Sequence, residues 1–131
     1  MVELHGWMSV SATYGNEDML SDSRLNEIMD QVDSILKGSS FDIKLKYMNG
    51  IPYINTSFSS NHRTGEADDI ISVYKQIAEA ATGSYGVIYL RDDEDKKHHN
   101  DMMRYVFKRG GMTVVIDGDF SPCIPQLEDG D

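Results

Sequence analysis

Asn49-Gly50 constrains this chain more than any other dipeptide in it. A two-residue hairpin loop of type I′ needs positive φ at both central positions, and Asn followed by Gly adopts them at little steric cost. Polarity alternates on both sides of the pair, so a β-hairpin is predicted over residues 41–58 with a fixed register. Leu45 falls opposite Ile54, Ile43 opposite Thr56, and Phe41 opposite Phe58. Phe41, Ile43, Leu45 and Tyr47 then share one face with Pro52, Ile54, Thr56 and Phe58. Lys44 and Lys46 share the other with Tyr53 and Asn55. Pro52 has no N–H to donate, so its strand is expected at a sheet edge, or with its N–H side facing outward.

The same period-2 alternation predicts a strand over residues 2–13. Val2, Leu4, Gly6, Met8, Val10 and Ala12 line one face; Glu3, His5, Trp7, Ser9 and Ser11 line the other. Two segments switch to the helical period. In residues 23–37 the stripe is Leu25, Ile28, Met29, Val32, Ile35 and Leu36, with Ser21 or Ser23 as N-cap and Gly38 as stop. In residues 66–81 it is Ile70, Ile71, Tyr74, Ile77, Ala78 and Ala81, with Glu66, Asp68 and Asp69 in the first turn, where the helix dipole favours negative charge. Residues 85–91 read as a central strand and 92–101 as a polar loop. A second hairpin is expected around Gly110-Gly111, pairing Phe107 with Val114, Tyr105 with Ile116 and Arg104 with Asp117. Residues 118–131, with Pro122 and Pro125, read as an extended tail.

The element order is β-α-β-β-α-β-β-β. It predicts an α+β fold: a mostly antiparallel six-stranded sheet with two helices on one face, a ferredoxin-like βαββαβ unit plus a C-terminal hairpin. The expected strand order is 6-5-4-1-3-2. At 131 residues the chain is sized for a single domain over 1–131. With both helices on one face, the other face presents His5, Trp7, Lys44, Lys46, Tyr53, Tyr89 and Arg91. Trp, Tyr and Arg are enriched at interface hot spots. The tail offers a competing arrangement, in which Phe120, Ile124 and Leu127 fold back over that face as a second small core.

Charge narrows the partners. Twelve Lys and Arg stand against 22 Asp and Glu, a net charge of −10. Such a chain repels nucleic-acid phosphate and meets a basic partner quickly. One cysteine, Cys123, rules out an intramolecular disulfide. The first residues lack a charged segment leading into an apolar one, and no apolar run approaches a membrane span, so the expected compartment is the cytoplasm with no membrane partner.

Catalytic chemistry finds no candidate set. His98-His99 follow Asp92-Asp93-Glu94-Asp95 in one polar loop, which reads as solvated and as a handle for a basic partner. His5 and His62 lie far apart in sequence. Cys123 sits in Ser-Pro-Cys-Ile-Pro with neither a helix N-terminus nor a cationic neighbour in sequence to activate it. No glycine-rich phosphate loop is present. Two readings stay beside protein binding: a small ligand-binding or enzymatic domain using His5, Tyr89 and Arg91, and an RNA-binding sheet, which lacks the basic-Gly-aromatic signature.

Three short stretches carry a family resemblance: Glu3-Leu4-His5-Gly6-Trp7, then Gly86-Val87-Ile88-Tyr89-Leu90-Arg91-Asp92-Asp93-Glu94, then Ser121-Pro122-Cys123-Ile124-Pro125. Together and in order they resemble a bacterial immunity protein family of polymorphic and contact-dependent toxin systems, marked by an N-terminal His-Gly-Trp (immunity protein 7-like). The resemblance implies a cytoplasmic α+β antitoxin that binds and blocks a cognate toxin domain, with no catalysis and no cofactor. Interfaces diversify within such families, so toxin binding is expected on acidic segments: Glu17, Asp18, Asp22, Glu27, Asp30 and Asp33 around the first helix, and Asp92, Asp93, Glu94 and Asp95 in the loop. Trp7, Tyr89 and Arg91 are the expected anchors. A nuclease with a basic cleft is the expected target, and the sequence leaves monomer and homodimer open.

Overall fold

The computed structural model describes residues 1–13, 21–39 and 43–124; Glu17, Asp18, Phe41 and Leu127, on which sequence expectations fall, lie outside these. The elements run β1 (Val2–Ser9), α1 (Asp22–Lys37), β2 (Ile43–Met48), β3 (Ile51–Ser60), α2 (Glu66–Ala80), β4 (Tyr85–Asp92), β5 (Met103–Lys108) and β6 (Gly111–Ile116). The strands form one antiparallel sheet in the order β2-β3-β1-β4-β5-β6, as expected. Val2, Leu4 and Met8 of β1, Ile54 of β3, Ile88 and Leu90 of β4, and Phe107 of β5 share one buried cluster with Ile28 and Val32 of α1 and Ile70, Tyr74 and Ile77 of α2. Both helices therefore cover the same sheet face.

The first hairpin forms in the expected register, with Leu45 opposite Ile54 and Ile43 opposite Thr56. Asn49 and Gly50 take φ of 53° and 77°. Pro52, however, lies in an interior strand, since β3 sits between β2 and β1. Its missing donor explains where β1 stops. Val10 N–H reaches the Pro52 carbonyl at 2.9 Å. The return bond of that pair needs an N–H that proline lacks, so the β1–β3 ladder ends at Ser9–Tyr53. The strand is accordingly shorter than the predicted 2–13.

The second hairpin corrects the sequence expectation. Its loop is Arg109-Gly110, with φ of 50° and 76°, and the register moves by two. Phe107 faces Met112, Tyr105 faces Val114, and Arg104 faces Val115. Gly111 takes a strand position opposite Lys108. A left-handed Arg costs about 1–2 kcal/mol. In return, Met112 packs against the core beside buried Phe107, and Asp117 extends the ladder with its N–H on the Met102 carbonyl at 2.8 Å. A shift of two preserves parity, so every side chain keeps its face. The Arg104–Asp117 ion pair survives on the diagonal at 3.3 Å.

Ser21 caps α1, its hydroxyl accepting the Arg24 N–H at 3.2 Å. The deepest contact belongs to α2. Tyr74 is fully buried, its hydroxyl 2.9 Å from the Thr56 hydroxyl, its ring 5.8 Å from Phe107. Burial pushes its pKa up to about 12. The ring occupies the space over Gly6: a Cβ there would lie 2.8 Å from Ile88 Cγ1 and 3.0 Å from the Tyr74 hydroxyl. Gly86 of β4 is placed as tightly, since its Cβ would lie 2.2 Å from the Trp7 carbonyl oxygen.

Gly6→Ala is expected to lower stability by about 1–3 kcal/mol through overpacking. Tyr74→Phe is expected to cost about 1–2 kcal/mol by leaving the Thr56 hydroxyl buried without its partner. Urea unfolding checks both, and an unchanged midpoint for Gly6→Ala contradicts the packing described.

Candidate partner-binding surface

The acidic loop after β4 is more structured than its sequence suggests. Asp92 is buried, accepts the Glu94 N–H at 3.0 Å, and lies 3.7 Å from Arg63. Asp95 accepts the N–H groups of Lys97 and His98, each at 2.9 Å, and His98 Nδ1 lies 2.9 Å from Asp101. Those backbone donors hold the Asp95 carboxyl below the usual carboxylate range. Asp93 pairs with the Met1 amine, which lowers its pKa too, and Glu94 pairs with His62. Two of the four expected binding carboxylates, Asp92 and Asp95, thus fold the loop; Asp93 and Glu94 stay exposed at its tip.

The helices present the larger acidic surface. Asp22, Glu27, Asp30 and Asp33 of α1 are exposed, opposite the stripe that buries Ile28 and Val32. Only Glu27 among them has a described ion pair, with Arg24 at 3.1 Å. On α2, Glu66, Asp68, Asp69 and Glu79 are exposed as well. Asp68 pairs with Arg63 and raises its pKa. The two helices together carry eight carboxylates against three cations. Sequence reasoning had not singled out the α2 carboxylates for binding, although their positions off its apolar stripe were readable. A groove between the helices is lined by Gln31, Ser34, Ile35, Asp69, Ser72 and Gln76 among others, and Asp69 is its one ionisable residue.

The opposite sheet face has the opposite sign. In register across it lie Glu3 beside Ser59 and Arg91, His5 beside Ser57 and Tyr89, and Trp7 beside Asn55 and Val87. Lys44 and Lys46 come from β2, Arg104 and Lys108 from β5. With Arg91 they make five cations on this face against Glu3 and Asp117, the latter paired with Arg104 at 3.3 Å.

Neither arrangement expected for the tail holds in full. Phe120 sets its edge against Tyr89, ring centroids 6.0 Å apart. Ser121 accepts the Met102 N–H at 2.9 Å, Cys123 N–H reaches the Asn100 carbonyl at 2.9 Å, and the Asn100 amide clamps both backbone groups of Ile124 at 2.7 and 2.8 Å. The Tyr89 end is roofed, and burial pushes the Cys123 thiol up. The other end stays open: Trp7 and Tyr85 meet edge to face at 6.0 Å and remain 41% and 51% exposed. Ile124 is exposed and forms no second core. A roof over Tyr89 counts against a ligand pocket built on His5, Tyr89 and Arg91.

The two faces of the sheet thus differ in charge and in cover. The family model of Immunity protein 7 matches residues 1–129. This chain belongs to that family. No curated protein and no solved structure matches it. Membership suggests a toxin immunity role without catalysis and implies binding of a cognate toxin. No helix among the described residues is long and apolar enough to cross a membrane. In this Immunity protein 7 member the three resembling stretches do structural work: Gly6 admits Tyr74, Gly86 admits β1, and Ser121–Ile124 fasten the tail.

Because folding lowers the Asp95 pKa, its contribution to loop order is complete above the unfolded carboxylate value of about 4 and is lost as pH falls through the lower folded value. The protection of the Lys97 and His98 amides from exchange, relative to the free amide at the same pH, is expected to fall together over that acid range. Asp95→Asn is expected to remove the transition, and protection that is flat with pH contradicts the loop geometry.

Proposed function

We propose that this chain binds and silences the toxin domain of its own system in the cytoplasm, and that the target is a nuclease met by the helical layer. The observation that carries the reading is the exposed acidic surface of α1 and α2, eight carboxylates against three cations. A nuclease cleft is basic because it holds phosphates. Carboxylates laid across it take the place of substrate charge and exclude substrate by occupancy. The same field draws the two proteins together before contact. Asp93 and Glu94, exposed at the tip of the β4–β5 loop, add to it. Glu17 and Asp18 lie outside the described residues. The sheet face does not suit the same cleft, since its cations would meet the cations of the nuclease; Trp7 and Arg91 therefore fall outside this contact.

The cation-rich sheet face supports a second reading, an RNA surface on which bases stack against Trp7 and Tyr85. A gel shift with single-stranded RNA at low salt tests it, and no retardation removes it.

Co-expression with the toxin domain encoded beside this chain is expected to rescue growth and to yield a complex that co-purifies. Equal killing with and without this chain ends the proposal. Reversing Asp22, Glu27, Asp30 and Asp33 to Lys together is expected to slow association by about 10–10³-fold and to weaken its salt dependence, with circular dichroism unchanged. Unchanged association kinetics in that folded variant removes the helical layer from the account.

A further inference from the structure

The two edges of the sheet are protected very differently. The β2 edge reads Ile-Lys-Leu-Lys-Tyr-Met, with Lys44 and Lys46 exposed along it. Charged side chains of this kind keep an edge strand from pairing with another chain. The β6 edge reads Gly-Met-Thr-Val-Val-Ile. It holds no charge, no proline and no bulge in its pairing with β5. Val114, Val115 and Ile116 are 45%, 38% and 48% exposed, and they project from both faces of the strand.

The register also shows which backbone groups are free. A two-residue loop closes on a hydrogen-bonded pair, here Lys108–Gly111. Bonded pairs then recur at every second position, at Val106–Thr113 and Arg104–Val115, in phase with the bond from Asp117 N–H to Met102. Met112, Val114 and Ile116 therefore turn their N–H and C=O groups to the open edge, where no described strand pairs with them.

We propose that β6 pairs antiparallel with β6 of a second copy of this chain, joining two six-stranded sheets into one across a two-fold axis at Val114. Val114 meets its symmetry mate, and Met112 meets Ile116 of the second copy. The residues brought together are the ones whose backbone groups face outward. A two-fold axis requires such a self-complementary patch. Charge sets the direction. Exposed Arg109 precedes the strand and exposed Asp119 follows it, so antiparallel pairing brings the basic end of one copy beside the acidic end of the other, whereas parallel pairing brings like ends together. This inference rests on the fold and is independent of the toxin reading.

Sedimentation equilibrium of the full chain without toxin tests it. The expected mass is twice 14.8 kDa at high concentration, falling toward the monomer on dilution. Val114→Lys places like charges directly opposite at the axis and is expected to raise the dimer dissociation constant at least about tenfold. Arg109→Asp alone is expected to weaken the dimer several-fold, and Arg109→Asp with Asp119→Arg to restore it; this pair leaves the strand untouched and keeps the test open if Val114→Lys does not fold. A monomer at all concentrations overturns the proposal. So does a dimer indifferent to these changes, and so does a monomer that loses toxin binding on Val114→Lys, since that edge would then belong to the toxin.

Discussion

A tyrosine ring fills the space that a missing side chain leaves on the central strand. Tyr74 of α2 lies over Gly6 of β1 and ends on the Thr56 hydroxyl of β3, with Phe107 of β5 at its side. One residue thus joins the second helix to three strands. Because Tyr74 is fully buried, its hydroxyl needs a partner, and that partner is itself a buried hydroxyl on a strand next to β1. Beside it, α1 adds the buried Ile28 and Val32, with Leu25, Met29, Ile35 and Leu36 partly buried against the same core.

This arrangement separates framework from interface. Gly6 and Gly86 are required by close approach, and Ser121 to Ile124 fasten the tail to residues 100–102. Short stretches that resemble a family are in this molecule the parts that hold it together. The exposed helix carboxylates are residues that the fold does not need: changing them disturbs little of the packing beneath.

Most of the architecture was readable because period-2 patterns and turn chemistry agree with each other. Asn49-Gly50 gave its hairpin to the residue. Gly110-Gly111 misled, because two glycines offer more than one place for a turn, and strand parity cannot separate registers that differ by two. What decided between them was packing at Met112, next to the turn, and the ladder bond at Asp117, at the far end of the strand. Pro52 sits in an interior strand where its neighbour ends, as the expected strand order already required. The acidic loop reads as solvated in sequence because side chain to backbone bonds, such as those at Asp95, leave no periodic trace. The contrast in sign between the two faces was present in the alternation of Lys44, Lys46, Arg104 and Lys108, and the whole-chain total concealed it.

That contrast gives the molecule a direction. The overall charge of −10 describes it only from far away. At physiological ionic strength, fields fade over about 8 Å, so a partner arriving at the helices is shielded from the cations behind the sheet, and one arriving at the sheet is shielded from the carboxylates. Within that range the sign of charge that an approaching group meets is set by the side from which it comes.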